Sequence, residues 1–365
     1  MTAPVPTPLT GSGPAHSVPE HTPEDPPAEV LAPVADGSQP PQNNEDDFDE
    51  PDDNDSAFGD DASSTGSVAS TIRHYREEHG RTYHNYGNTE YWGPNDETQN
   101  EQLDIGHHMC TLVLENKLYL APIGENVQKV LDIGTGTGIW AIDFADQHPS
   151  ASVIGTDISP IQPTWVPPNL KFEIDDAQLE WTYADNDFDY IHIRCLMGSI
   201  DNWPLLYSRA FKATKPGGYI EHLDMDIQFT SDDGSVKEGD VMYEWSKLFI
   251  KAGDMIGRTF TIARDSTRLL EEAGFVDVIE KKYKIPVGAW MPEKRWKEIG
   301  RWDLLYLTAG LEGMALYQLK HVLGWEYAEI QVYLAEMRKA LMTKSNHGYY
   351  GITVSYGRKP ESTAD

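Results

Sequence analysis

Residues 130–140 read Val-Leu-Asp-Ile-Gly-Thr-Gly-Thr-Gly-Ile-Trp, and no other stretch of this 365-residue chain limits its fold so narrowly. Apolar strand positions run into Gly134, Gly136 and Gly138, and helix-forming residues follow. A strand, a glycine turn and a helix in that order build a nucleotide cradle. Glycine reaches positive φ and lets a ligand approach the backbone, while the helix N-terminus offers free N–H groups. A dinucleotide fingerprint needs G-x-G-x-x-G. Here the third glycine comes one position early, and Ile139 stands where the dinucleotide glycine belongs. Asp132, just before the loop, would repel a pyrophosphate but suits the cationic amino-acid end of S-adenosylmethionine, through water or the loop backbone. Asp132, Gly134, Thr135, Gly136, Thr137 and Gly138 are therefore read as a methyl-donor site.

Two further acidic landmarks agree. Ser152–Thr156 reads as a second strand ending in Asp157, where a carboxylate can accept both ribose hydroxyls of an adenosyl group. NAD sites use the same device, so Asp157 alone does not discriminate. A third strand, Leu170–Ile174, ends in Asp175-Asp176-Ala177, which resembles the G-D-A element that holds the adenine amino group in methyltransferases. Each feature alone is an ordinary loop; the three together, in order and at βαβ spacing, point to one site.

The doubly wound rhythm continues along the chain. Phe188–Ile193 reads as the fourth strand and Trp203–Thr214 as an amphipathic helix stopped by the turn Lys215-Pro216-Gly217-Gly218. Tyr219–His222 begins the fifth strand. Val241–Gly257 and Ser266–Ala273 read as helices and Phe275–Lys284 as the sixth strand. A helical block over Glu293–Met342 precedes a last strand, Gly351–Tyr356, expected to be antiparallel at the end of the sheet. Helices inserted there are well placed to cover the carboxyl ends of the strands, where open α/β sheets bind ligands.

Composition divides the chain at about residue 70. Residues 1–70 hold no Lys or Arg, 15 of the 59 acids and 12 of the 24 prolines, with a dense acidic run over Glu45–Asp61. Such a tail cannot bury enough apolar surface to offset its ordering entropy and is expected to be disordered. Ser63, Ser64, Ser67 and Ser70 follow the run as candidate phosphorylation sites or polar filler. Residues 71–365 stay acidic, which argues against direct nucleic-acid binding through phosphates. Only Cys110 and Cys195 are present, so neither a disulfide framework nor a cysteine zinc site is expected. No secretory signal and no apolar run long enough to span a membrane is visible, so a soluble intracellular protein is expected.

Several segments carry a narrower signature. They are Val130–Asp143 (VLDIGTGTGIWAID), Ile161–Leu170 (IQPTWVPPNL), Phe188–Trp203 (FDYIHIRCLMGSIDNW), Pro216–Asp226 (PGGYIEHLDMD), Ile299–Trp302 (IGRW) and Gly80–Asp96 (GRTYHNYGNTEYWGPND). On these, the chain from about Arg73 to Pro360 resembles the class I, Rossmann-like S-adenosylmethionine-dependent methyltransferases. Within them it resembles the fungal LaeA-like group, whose best-known member is a nuclear regulator of secondary metabolism. The Arg-Thr-Tyr-His segment and the acidic tail look closer to the wider group of fungal paralogues than to that regulator. The resemblance implies a doubly wound, seven-stranded α/β sheet with a helical insert at about 286–346. It implies a cofactor site at Gly134–Gly138, Asp157, Ile158, Asp176 and Ala177, with Tyr86 and Tyr91 folding over the cofactor or packing the first helix. Arg194, at the end of the fourth strand, would bind a carboxylate of cofactor or substrate, or pair with Asp201 or Asp224.

Methyl transfer from a sulfonium is an in-line displacement, and a general base is needed only when the acceptor atom carries a proton. His222, Glu221 and His192 stand near strand ends as candidates. Glu221 and His222 point to opposite faces of the sheet, and His222 is the choice, against a structural histidine beneath the site. No histidine spacing suggests a metal. Trp290, Trp296, Trp302 and Trp325 in the insert either line an acceptor pocket or pack its core. Two active readings follow: methyl transfer to a small-molecule or protein acceptor in secondary metabolism, or nuclear regulation through protein partners. A scaffold with vestigial binding is disfavoured by the intact glycine loop. Nuclear residence rests on resemblance alone, since no basic import cluster is visible.

Overall fold

The computed structural model describes residues 75–87 and 89–361. The expectations for the acidic tail and its serines lie outside the described residues. A short hairpin, β1 (Arg76–Glu78) and β2 (Arg81–Tyr83), leads into α1 (Glu97–Val113), which Asp96 caps by accepting the Gln99 N–H. Then come β3 (Lys129–Ile133), α2 (Ile139–Gln147), β4 (Ser152–Asp157), β5 (Leu170–Ile174), β6 (Phe188–Arg194), α3 (Trp203–Ala213) and β7 (Thr214–Met225). The chain ends with α4 (Val241–Ile256), α5 (Ser266–Glu272), β8 (Val276–Pro286), α6 (Lys294–Leu316), α7 (Tyr327–Leu341) and β9 (Tyr349–Arg358).

Seven strands form one sheet in the order β5-β4-β3-β6-β7-β9-β8, parallel except for β9. The order reverses between β3 and β6, and that switch point opens a crevice at the carboxyl ends of the strands. The last strand is antiparallel as expected, but it lies between β7 and β8 rather than at the sheet's end. Its residues explain the correction: Ile352, Val354 and Ser355 are buried, whereas β8 carries exposed Asp277, Glu280, Lys281 and Lys282, a charged face suited to an edge. The expected turn at Lys215–Gly218 is also corrected. Thr214 already pairs with Phe188, the next register pair is Tyr190 with Tyr219, and the glycines form a bulge in β7, with Gly217 at φ +77°.

α1 and α6 pack closely because Gly310 and Gly313 leave no side chain between α6 and Gln102 and Gln99 of α1. That contact fastens the insert to the helix that walls the crevice. One apolar cluster joins α1, α4, α6 and α7 to β7 and β9; a second lies against α3 and α5; a third surrounds Trp140 and Phe144 of α2.

Glu221 sits fully buried in the middle of β7. One of its oxygens accepts the N–H groups of Leu120 (2.8 Å) and Ala121 (2.6 Å), and the other has no partner among the described residues. Burial outweighs these bonds and pushes its pKa from 4.5 up to about 7. An acid raised in the folded state binds its proton there while the unfolded chain has lost it, so this group lowers stability as pH rises from 4.5 through 7. The penalty is at most about 3 kcal/mol. Glu221→Gln is expected to flatten the pH dependence of the denaturant midpoint across that interval; a slope identical to wild type would show that Glu221 is not its source.

Candidate functional site

β3 runs into the glycine loop, which needs left-handed backbone at Gly134 (φ +67°), Gly136 (+60°) and Gly138 (+81°). The turn is closed locally. Gly138 N–H donates to the Thr135 carbonyl (3.0 Å), and Thr135 N–H donates across to Thr156 on β4 (2.9 Å). A Cβ on Gly138 would strike the ring of Phe172, while a Cβ on Gly136 would meet only Leu103, at 3.4 Å. Gly138 therefore serves the turn, and Gly136 leaves bare backbone facing the crevice.

Asp157 stands at the tip of β4. Its carboxylate accepts the Gly136 N–H (2.8 Å) and the Ser159 N–H (2.9 Å), so the acid and the glycine loop orient each other. Enclosure pushes its pKa up to about 6, against the lowering pull of those donors. At the tip of β5, Asp176 is buried; it accepts the Gln178 N–H (2.9 Å) and the Thr89 hydroxyl. Asp132 lies under the loop with both oxygens engaged, one by the Thr135 hydroxyl (2.6 Å) and one by His192 Nδ1–H (2.7 Å).

Arg194 ends β6 and forms an ion pair with neither Asp201 nor Asp224. Asp224 is occupied by the Leu196 and Met225 N–H groups and by His222. The Arg194 guanidinium donates instead to His107 Nδ1 (3.1 Å), and His107 Nε2–H donates to Asp143 (2.9 Å). Burial, with the Arg194 charge second, depresses the His107 pKa to about 3, so this histidine is a neutral strut that positions the guanidinium.

Most of these residues meet at one cleft that is partly open to solvent, with about 1120 Å³ of empty space when the solvent at its mouth is included. Of the predicted site residues, Asp132, Gly134, Thr135, Gly136, Thr137, Asp157, Ile158, Asp176, Ala177 and Arg194 are on its wall. Gly138 and Tyr86 are not; Tyr86 lies half-buried beside Asp175 and Asp176, and Tyr91 reaches the wall in its place. His222 is placed beneath the site instead of in it. It is fully buried, accepts the Tyr207 hydroxyl at Nδ1 (2.6 Å), donates from Nε2 to Asp224 (3.1 Å), and stacks on Trp203. Glu221 and His192 are buried below the wall as well.

The four tryptophans of the insert do not touch the cleft. Trp296, Trp302 and Trp325 pack on the core of the insert, and Trp290 donates to the Gly348 carbonyl. Unforeseen contributors are Thr89 and Glu90, then Leu103, His107 and Cys110 of α1, Met225 of β7 and Tyr306 of α6. The unequal spacing of α1's polar residues gave no sign of a wall, and only the position of Thr89–Tyr91 just upstream of α1 hinted at an entry segment.

Residues 105–280 match the family described as a methyltransferase domain. The chain is 35% identical over 328 residues to methyltransferase pytC of Aspergillus terreus, a match covering 90% of this chain and 99% of that one. It is 33% identical over 290 residues to secondary metabolism regulator LAE1 of Cochliobolus heterostrophus, covering 78% and 94% of the two chains. It is 31% identical over 293 residues to probable methyltransferase tdiE of Emericella nidulans, covering 80% and 92%. With the glycine loop, the acid-tipped strands and the switch-point cleft in place, the chain belongs to the LaeA-like group of class I S-adenosylmethionine-dependent methyltransferases.

Proposed function

We propose that S-adenosylmethionine lies across the ends of β3, β4 and β5, and that its methyl group passes to a small acceptor of secondary metabolism. Asp157 would take the ribose hydroxyls, Asp176, Ala177 and Ile158 the adenine, and Gly134–Gly136 the methionine portion. The observation that carries this assignment is the Asp157 carboxylate, tethered to the Gly136 N–H at 2.8 Å over bare glycine backbone. Among the described residues Arg194 has no carboxylate within ion-pair distance, and it is held toward the cleft by His107, which suits it to the cofactor's carboxylate. The bound cofactor supplies an electrophilic methyl group; the protein's part is to position the acceptor in line with it. His107 has both nitrogens committed and offers no free base. His222, buried and bonded to Asp224, would act as a positioning residue under the loop after β6.

The likeness to LAE1, a secondary metabolism regulator, supports a second reading, in which this chain is itself a regulator and its acceptor would be a protein. Incubation with methyl-labelled S-adenosylmethionine and a fungal extract separates the two. Label is expected in the organic-solvent fraction. Label confined to precipitated protein would replace the small-molecule reading with the regulatory one, and label in neither fraction would sink both.

A further inference from the structure

A second cavity adjoins the cofactor cleft across two side chains, Met225 at the end of β7 and Tyr306 on α6, which line both. It holds about 320 Å³ of empty space when the solvent at its mouth is included. Its wall continues with Phe229 after β7, Trp245 of α4, Met314 of α6 and Tyr350 of β9. That wall is stiff. Tyr350 is pinned through its hydroxyl to Asp303 at 2.5 Å and meets the Phe229 ring edge-on at 5.7 Å, while Trp245 stacks on Phe249 at 4.6 Å. Asp226 also lines the chamber, but its two oxygens accept from Arg264 at 2.7 Å each, so its charge is already matched. The seat of Tyr306 is built into the facing helix. α1 carries Gly106 in mid-helix, where glycine weakens a helix, and a Cβ there would come 2.9 Å from the Tyr306 ring. The Tyr306 hydroxyl has no hydrogen-bond partner among the described residues.

We infer that this chamber is the acceptor subsite, that it takes a neutral, flat, apolar ring compound, and that Tyr306 positions the guest's polar edge beside the cofactor. The inference rests on the cleft being the S-adenosylmethionine site. The cofactor would lie on β3, β4 and β5, whereas the chamber lies past the end of β7, on the far side of β6. A guest seated there meets the cleft where Met225 and Tyr306 are shared, at the end away from the adenine acids. Aromatic faces and thioethers give a flat ring a large contact area. A charged acceptor would lose its water there and find the Asp226 carboxylate already paired. Aromatic walls can also cage a cation, and the probes below separate that case. In the transfer, a lone pair of the acceptor bonds to the methyl carbon as the carbon–sulfur bond breaks, and the electron pair of that bond stays on sulfur. A proton on the acceptor atom, where there is one, leaves to water through the open cleft.

The test titrates the full-length protein, saturated with S-adenosylhomocysteine, with 2-naphthol, naphthalene and the cation benzyltrimethylammonium in a calorimeter. 2-Naphthol is expected to bind saturably without displacing S-adenosylhomocysteine, and about fivefold more tightly than naphthalene, the ordinary worth of one hydrogen bond. Tyr306→Phe should erase that preference and leave naphthalene binding as it was, a selective change that mere loosening of the wall would not produce. Met314→Trp fills the chamber and should weaken 2-naphthol at least about tenfold, the cost of overpacking a filled site, with S-adenosylhomocysteine affinity unchanged. In the labelled extract, 2-naphthol should suppress label in the solvent fraction. No saturable binding, displacement of S-adenosylhomocysteine, a tighter hold on benzyltrimethylammonium, a preference that survives Tyr306→Phe, or solvent-fraction label indifferent to 2-naphthol would each overturn the inference. So would undiminished binding in Met314→Trp; should that variant not fold, Tyr306→Phe and the displacement measurement decide. If wild-type protein fails to bind S-adenosylhomocysteine, the cofactor reading falls, and 2-naphthol binding to the ligand-free protein still judges the chamber on its own.

Discussion

Gly136→Asp is expected to abolish S-adenosylmethionine binding while the domain stays folded. Gly136 sits at φ +60°, a conformation aspartate tolerates at a cost of about 1 kcal/mol. Its Cβ would face open space, with Leu103 the nearest neighbour at 3.4 Å, so the fold itself meets no collision. The new carboxylate would project over the loop into the cleft. There it would stand near Asp157, which accepts the Gly136 N–H at 2.8 Å, and would occupy ligand volume. Steric exclusion and like charge act together. The affinity loss should be at least about a hundredfold, or about 3 kcal/mol. Calorimetry measures it, with circular dichroism confirming the fold. Gly136→Ala carries the backbone strain without the charge or the reach and should keep weakened binding. If Gly136→Asp binds the cofactor like wild type, the cofactor does not lie on this loop.

Trp140→Ala should cost about 3–5 kcal/mol of stability, the range for emptying a buried aromatic site. Trp140 opens α2 directly after the glycine loop and is 1% exposed. Its ring stacks on His192 with centroids 3.7 Å apart and on Phe144 at 5.0 Å, and its indole N–H donates to the Leu118 carbonyl at 2.9 Å. Truncation leaves a cavity and strands that carbonyl. The damage reaches the site through a short chain of contacts, because His192 orients Asp132 and Asp132 holds the Thr135 hydroxyl in the loop. Cofactor affinity should therefore fall along with the denaturant midpoint. Trp140→Phe retains most of the buried area and should lose about 1–2 kcal/mol, mostly for the missing hydrogen bond. A Trp140→Ala protein within about 1 kcal/mol of wild type would show that the stack carries little of the packing.

The parts of the site that were legible in the sequence are those made within one strand–turn–helix unit. The loop over Gly134–Gly138 follows from backbone geometry that only glycine adopts cheaply, and Asp157 and Asp176 follow from where a short apolar strand must end. Arg194 was legible for the same reason, as the last residue of β6. Alternation correctly separated Glu221 from His222, but it could not say that both would be covered. That was decided by Leu120 and Ala121 on one face and by Tyr207 and Trp203 on the other.

Only the tertiary structure decided which distant segments close the cleft. α1 supplies His107 and Cys110, α6 supplies Tyr306, and β9 lies inside the sheet rather than on its edge. The physical reason is one of range. Turn chemistry and hydrophobic period are settled by neighbours along the chain. A wall depends on how closely two helices approach, and here Gly310 and Gly313 of α6 meet Gln102 and Gln99 of α1 through contacts that no local pattern encodes.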